Sequence, residues 1–244
     1  MFRDARLKID RADKHIKEVK TAVLALHEAY VSIIEEDADT GGHSIKYECP
    51  DLEDRLIEIA LATGDVIHNL RTALDYAWIA VIDKLSLPQT KWTKFPFSES
   101  AELLNHTLTQ RQIHTTSPIL LEKLVADIKP YRAGNLYLWA LHDLDITDKH
   151  KLLLPLVNYA GAKGIRVEDE HGTVHPVELM PRVHGTNVMF LDFFPNIKIK
   201  EKGHIAASIL FDKGPLAGFP IPEELLTLSY SALCVIESLE AIPT

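Results

Sequence analysis

Gly64-Asp-Val-Ile-His-Asn-Leu-Arg-Thr-Ala-Leu-Asp75 is the stretch on which the reading of this chain turns. It sits inside Leu52 to Leu85, where apolar residues recur at helical spacing. Asp51, Glu53 and Asp54 supply the acids that favour a helix N-terminus, and Pro88 closes the run. At 3.6 residues per turn, Gly64, His68, Arg71 and Asp75 share one stripe, with spacings of 4, 3 and 4. Ile57 and Leu61 precede that stripe, Ile79 and Ile82 follow it, and Ile67, Leu70, Leu74 and Val81 make a second broad face apolar. Polar residues bracketed in this way are expected to be at least partly buried.

A second helical run, Asn135 to about Lys151, repeats the arrangement: Leu138, Leu141, Asp145, Asp148 and Leu152 share a stripe. Carboxylates set between leucines need a partner, because an uncompensated ion in an interior is strongly disfavoured. Arg71 and His68 are the obvious candidates, so the two stripes are predicted to face each other. Lys149 and His150 follow at once, and His142 lies one turn earlier.

Three readings of this cluster stay open. In the first, Arg71 bridges Asp75 and either Asp145 or Asp148 in a buried network that holds the helices in register. In the second, the cluster is catalytic: His68 is a general acid or base and Arg71 steadies an anion such as a phosphate, with Asp75, Asp145 and Asp148 around them. The third is a divalent-metal site drawn from His68, Asp75, Asp145, Asp148 and His150, with an arginine in its midst competing against a cation. No organic cofactor is expected.

Outward from these helices, Leu7 to Ile34 carries apolar residues at helical spacing without Pro or Gly, predicting one long helix over 4–37 that Asp39-Thr-Gly-Gly42 stops. Ser44 to Cys49 alternates, as a short strand or extended connector would. Residues 86–100, with Trp92, Phe95 and Phe97, are expected to form a loop whose aromatics fold back on the helices. Shorter helices are expected near Ala101 to Gln112 and Pro118 to Ile128, with a break at Lys129-Pro130-Tyr131. After Leu152 come five β-type runs: Leu152 to Tyr159, Ile165 to Asp169, Val174 to Leu179, Val188 to Phe193 and His204 to Leu210. They predict a mainly antiparallel sheet, and Pro222-Glu-Glu opens a last helix. The fold class is α+β: a helical part at 1–151 and a strand-rich part at 152–244, or the two merged in one compact domain.

The two signature helices resemble those of a group of bacterial proteins. In that group an H-N-x-R-x-x-L-D helix is followed far downstream by an L-x-x-L-x-x-x-D-x-x-D-K-H helix, matched here by His68 to Asp75 and Leu138 to His150. No activity comes with that resemblance. The helices are more distantly similar to HEPN-type domains, whose ribonuclease members pair an Arg with a His four to six residues later. Arg71 maps onto that motif, while Tyr76 stands where the His would be and His68 precedes the arginine instead.

The 244 residues carry 26 Lys and Arg against 35 Asp and Glu, a net charge of −9, and no long basic block, which disfavours general duplex binding. Cys49 and Cys234 have no metal-ligand spacing and fit a reduced, cytoplasmic setting. No apolar run approaches the roughly 20 residues needed to span a bilayer. His106, His114, His171, His175, His184 and His204 are scattered, Trp78, Trp139 and Tyr137 are expected in the core, and Lys198 to Lys202 reads as a guarded strand edge. The expected function is binding, of a protein partner or a small anionic ligand, with a homo-oligomer left open. The alternative is an enzyme acting on a phosphate-containing substrate, such as an HEPN-like ribonuclease.

Overall fold

The computed structural model describes every residue except 37, 90–92, 180, 181, 185–187 and 244, and every remaining side chain except those of 179 and 182–184. Trp92 and the His184 side chain therefore lie outside the described residues. The fold is α+β. Among the described residues the helices run as α1 (Arg3–Ala29), α2 (Leu52–Lys84), α3 (Ala101–Gln110), α4 (Ile113–Thr116), α5 (Pro118–Glu122) continuing into a π-helical turn at Lys123–Ile128, α6 (Leu136–Asp148) and α7 (Ile221–Glu240). The strands among the described residues are β1 (Val31–Glu36), β2 (His43–Glu48), β3 (Pro155–Glu168), β4 (Val174–Leu179), β5 (Arg182–His184), β6 (Val188–Phe193) and β7 (Lys198–Phe211).

The first helix ends earlier than expected. Its apolar spacing continues through Tyr30, Ile33 and Ile34, but residues 31–36 are a strand paired in unbroken antiparallel register with β2, from Val31 opposite Glu48 to Glu36 opposite His43. Val31, Ile33 and Ile34 are β-branched, which favours a pleated strand over a helix. Downstream, two expected runs merge into the single strand β3. Gly164, at φ +72°, sits where the register with β4 shifts between Ala162 and Ile165, so the strand bends there instead of ending.

The chain divides into two compact units, and the division does not fall at residue 151. One unit comprises 1–19, 60–154 and 211–244; the other comprises 20–59 and 155–210. The strand unit needs the N-terminal hairpin as well as the later strands. Its four-stranded sheet has the order β1-β2-β6-β5 and its three-stranded sheet the order β4-β3-β7. The β2–β6 register sets Ile45 opposite Leu191 and Tyr47 opposite Met189. These four pack with Ile165 and Ile205 of the other sheet in one buried cluster. The Tyr47 hydroxyl donates to the Lys202 carbonyl, and the Tyr30 and Tyr159 hydroxyls meet at 2.9 Å.

In the helical unit the buried stripe of α1 is Ala5, Ile9, Ala12, Ile16 and Val19, at the spacing of an amphipathic helix. Leu7, which the same periodicity would place inside, is exposed. Asn135 caps α6 by accepting the backbone N–H groups of Tyr137 and Leu138 at 3.1 and 3.2 Å. Phe95 is buried edge-on against Trp78, so this part of the loop folds back as expected.

Candidate functional site

The stripes of α2 and α6 meet. His68 Nδ1 lies 3.4 Å from Asp145 Oδ1, and an ideal Cβ on Gly64 would stand 2.6 Å from Asp148 Oδ1. Gly64 is thus where the two helices come close enough for a carboxylate to occupy the space of a missing side chain. Asp145, whose side chain is 4% exposed, is flanked by Lys149 one turn on and His68 across the contact. Both partners are mostly in solvent, His68 at 59%. The bracketing of the stripe therefore overstates its burial: Arg71 is buried, Asp75 half-buried and His68 exposed, as is Leu61.

Arg71 is engaged elsewhere. Its guanidinium donates to Asp75 Oδ1 at 2.5 Å within α2 and lies 4.7 Å above the Phe97 ring. The same Asp75 oxygen accepts the Phe95 backbone N–H at 2.8 Å, and Phe97 stacks on His142 of α6 at 4.5 Å, 3° from parallel. Arg71 and Asp75 thus tie the loop at 95–97 onto α2, with His142 closing the stack from α6. The expected bridge from Arg71 to Asp145 or Asp148 is not present among the ion pairs of the described residues, because the guanidinium is satisfied one turn away. Phe97 folds back on the helices as expected, but its place between Arg71 and His142 is not disclosed by the sequence, since it lies in a loop that follows no periodicity.

No family model, curated protein or solved structure matches this chain.

Electrostatics separate the members of the site further. Burial pushes the His142 imidazole below its ordinary value and the Arg71 charge adds to the effect, against the opposing pull of Asp145 and Asp143. Burial, with Asp145 and Asp65 nearby, pushes the Asp148 carboxyl up, against the opposing pull of His68 and Lys149. Among the described residues no group of three His, Cys, Asp or Glu side chains is disposed to hold a metal ion. His150 is exposed, and the expected metal set of His68, Asp75, Asp145, Asp148 and His150 is not assembled.

A second feature lies on another face of α2. Leu7, Lys8 and Arg11 of α1 and Tyr76, Ile79 and Asp83 of α2 line an open groove with a volume of about 710 Å³. Lys8, which lines it, donates to Asn69 Oδ1 of α2 at 3.1 Å. Ile79, which on the sequence merely bracketed the polar stripe, belongs to this groove.

Three outcomes follow for stability. Removing either member of the Arg71–Asp75 pair strands the other, so Arg71→Ala and Asp75→Ala should each cost about 2 to 4 kcal/mol, and the double variant clearly less than their sum. Urea unfolding of the four proteins checks this, and strictly additive losses would contradict the geometry. The helix gain of about 1 kcal/mol from Gly64→Ala should be cancelled in the wild type by the Asp148 carboxylate and recovered in an Asp148→Ala background. In addition, a carboxyl whose folded pKa lies above its unfolded one binds protons more tightly when folded. Its contribution to stability then falls as pH rises from 3.8 through the raised value, and Asp148→Asn should flatten that part of the profile.

Proposed function

We propose that the helical unit is a binding module whose partner is a protein segment docked along the α1–α2 groove. The observation that carries the reading is the groove itself, where Leu7 and Tyr76 stand exposed over Ile79 in a depression flanked by Arg11 and by Asp4 and Asp83. Solvent-facing Leu and Tyr gathered in one concave place, with charges of both signs around them, are what a partner surface requires. A furrow between two helices suits an amphipathic helix with apolar residues at i, i+3 or i+4, and i+7. A small anion is the less favoured ligand, because the arginine on which it depended is spent on Asp75 and Phe97.

No helix among the described residues is long and apolar enough to cross a membrane. The resemblance of the two signature helices to a bacterial group remains compatible with a binding role. Selection from a library of random peptides displayed on phage tests the reading for a partner of any sequence. Enriched peptides should share the helical apolar spacing, bind the His68→Ala protein normally and lose at least tenfold in affinity for Tyr76→Asp. Enrichment of peptides indifferent to Tyr76→Asp and Leu7→Asp would remove the groove from consideration.

One observation favours a second reading, an enzyme acting on a phosphate-containing substrate. An exposed imidazole backed on Nδ1 by a buried carboxylate is the arrangement that orients a general base, here His68 with Asp145. The HEPN-type alternative would rest on Arg71, which is buried beneath Phe97. Hydrolysis of bis(p-nitrophenyl) phosphate or of single-stranded RNA that falls at least a hundredfold in His68→Ala would support this reading. Equal turnover by the two proteins would refute it.

A further inference from the structure

The exposed sheet edges of the strand unit are protected unequally. β7, an edge of the three-stranded sheet, carries Lys198, Lys200 and Lys202 at alternate positions. Charged side chains of this kind discourage strand pairing. β1, an edge of the four-stranded sheet, has neither Lys nor Pro, and its register with β2 contains no bulge. Three of its six residues are exposed and β-branched: Val31 at 48%, Ile33 at 48% and Ile34 at 42%. Glu35 and Glu36 carry charge and the Ser32 carbonyl already accepts from Lys202 Nζ, but a regular edge with exposed β-branched residues and neither Lys nor Pro still offers backbone groups to a strand that can lie beside it.

We propose that β1 pairs with β1 of a second copy of this chain, antiparallel across a two-fold axis at Ile34, joining two four-stranded sheets into one. The chemistry of the strand selects this occupant and this register. Along an antiparallel edge the outward-pointing backbone groups alternate, so only registers whose paired residue numbers sum to an even value bring free donors and acceptors face to face. Pairing Ile34 with the partner's Ile34 meets that condition. It also sets Ile33 opposite the partner's Glu35, and Ser32 opposite the partner's Glu36.

Each of those glutamates then falls near a lysine of this chain, Lys46 in the cross-strand row of Ile33 and Lys202 from β7 at the Ser32 carbonyl. Lys202 Nζ donates to the Ser32 carbonyl at 2.9 Å, and Ile33 lies opposite Lys46 in β2. Lys46, paired with Glu48 at 2.9 Å, sits two strand spacings from the partner's strand, roughly 10 Å, which an extended lysine can reach. Parallel pairing in register would instead stack glutamate on glutamate, which is unfavourable. The two-fold arrangement satisfies both acids on both copies at once, as an isologous contact must.

Sedimentation velocity of the full chain over about a hundredfold range of concentration should give a reversible monomer–dimer equilibrium. Ile34→Lys should be monomeric throughout with an unchanged circular dichroism spectrum, the residue being 42% exposed so that a lysine can extend its ammonium into water. Glu36→Lys should weaken association about tenfold, since symmetry counts the change twice, and Glu36→Lys combined with Lys202→Glu should restore it. Directly opposed residues bring Cβ atoms near disulfide distance. Mild oxidation should therefore cross-link Ile34→Cys and leave Ile33→Cys and the wild type, with its buried Cys49 and half-buried Cys234, uncross-linked. A monomer at every concentration, a dimer that survives Ile34→Lys, or cross-linking of Ile33→Cys in place of Ile34→Cys would each overturn the proposal. None of these outcomes bears on the α1–α2 groove.

Discussion

A carboxylate with almost no access to water must find its countercharge within the protein, and Asp145 is such a group. It finds Lys149 along its own helix, and the His68 imidazole stands 3.4 Å away where α6 approaches α2. At the same approach, Asp148 falls over Gly64, the one residue of the α2 stripe that has no side chain to displace it. His142, one turn before Asp145, comes to rest on Phe97, which brings the loop at 95–97 down onto Arg71. The loop, the arginine and the α2–α6 contact thus form one connected set around a buried carboxylate.

The same requirement explains how much of the site is legible in the sequence. Carboxylates at helical spacing between leucines are visible there, and so is the need to pair them, which is why Gly64, His68, Asp145 and Asp148 meet as the stripes suggest. The partner of Arg71 is not legible in the same way. An aspartate four residues on is always within reach on a helix, and the choice between it and a more distant carboxylate depends on a phenylalanine from an irregular loop. The exposure of His68 is hidden for a related reason. Apolar neighbours such as Leu61 and Ile79 imply burial only when something covers them, and here Leu61 is exposed and Ile79 lines an open groove.

For the fold, long periodic segments carry the most information. The bounds of α2 and α7 follow from apolar spacing and from Pro and acidic residues at their starts. Local pattern fails at β1, where helical spacing and β-branched composition point in opposite directions. A strand far along the chain settles the conflict, because β2 needs β6 on one side before a hairpin with β1 is worth forming. Such pairing is paid for in chain entropy before it gains anything, and nothing near residue 31 announces it. The interleaving of the two units has the same origin: the hairpin belongs with strands encoded after residue 155.

The distribution of fixed and free charge bears on function. α2 already bears the cost of polar atoms without partners, since Thr63 Oγ1 and Trp78 Nε1 are buried with no hydrogen bond among the described residues. Each such atom costs about 1 to 3 kcal/mol. The Arg71–Asp75 pair adds no further burden, because its hydrogen bonds and the Phe97 ring satisfy it. That satisfaction also withdraws the arginine from solvent, leaving Lys149 as the accessible cation beside Asp145, with the His68 imidazole next to it. Without a planar, preorganised fork, such a surface can bind a phosphate as a point charge but has little means of fixing its orientation. The α1–α2 groove has no comparable deficit, since a protein partner asks for apolar contact and a charged rim, and both are already in place there.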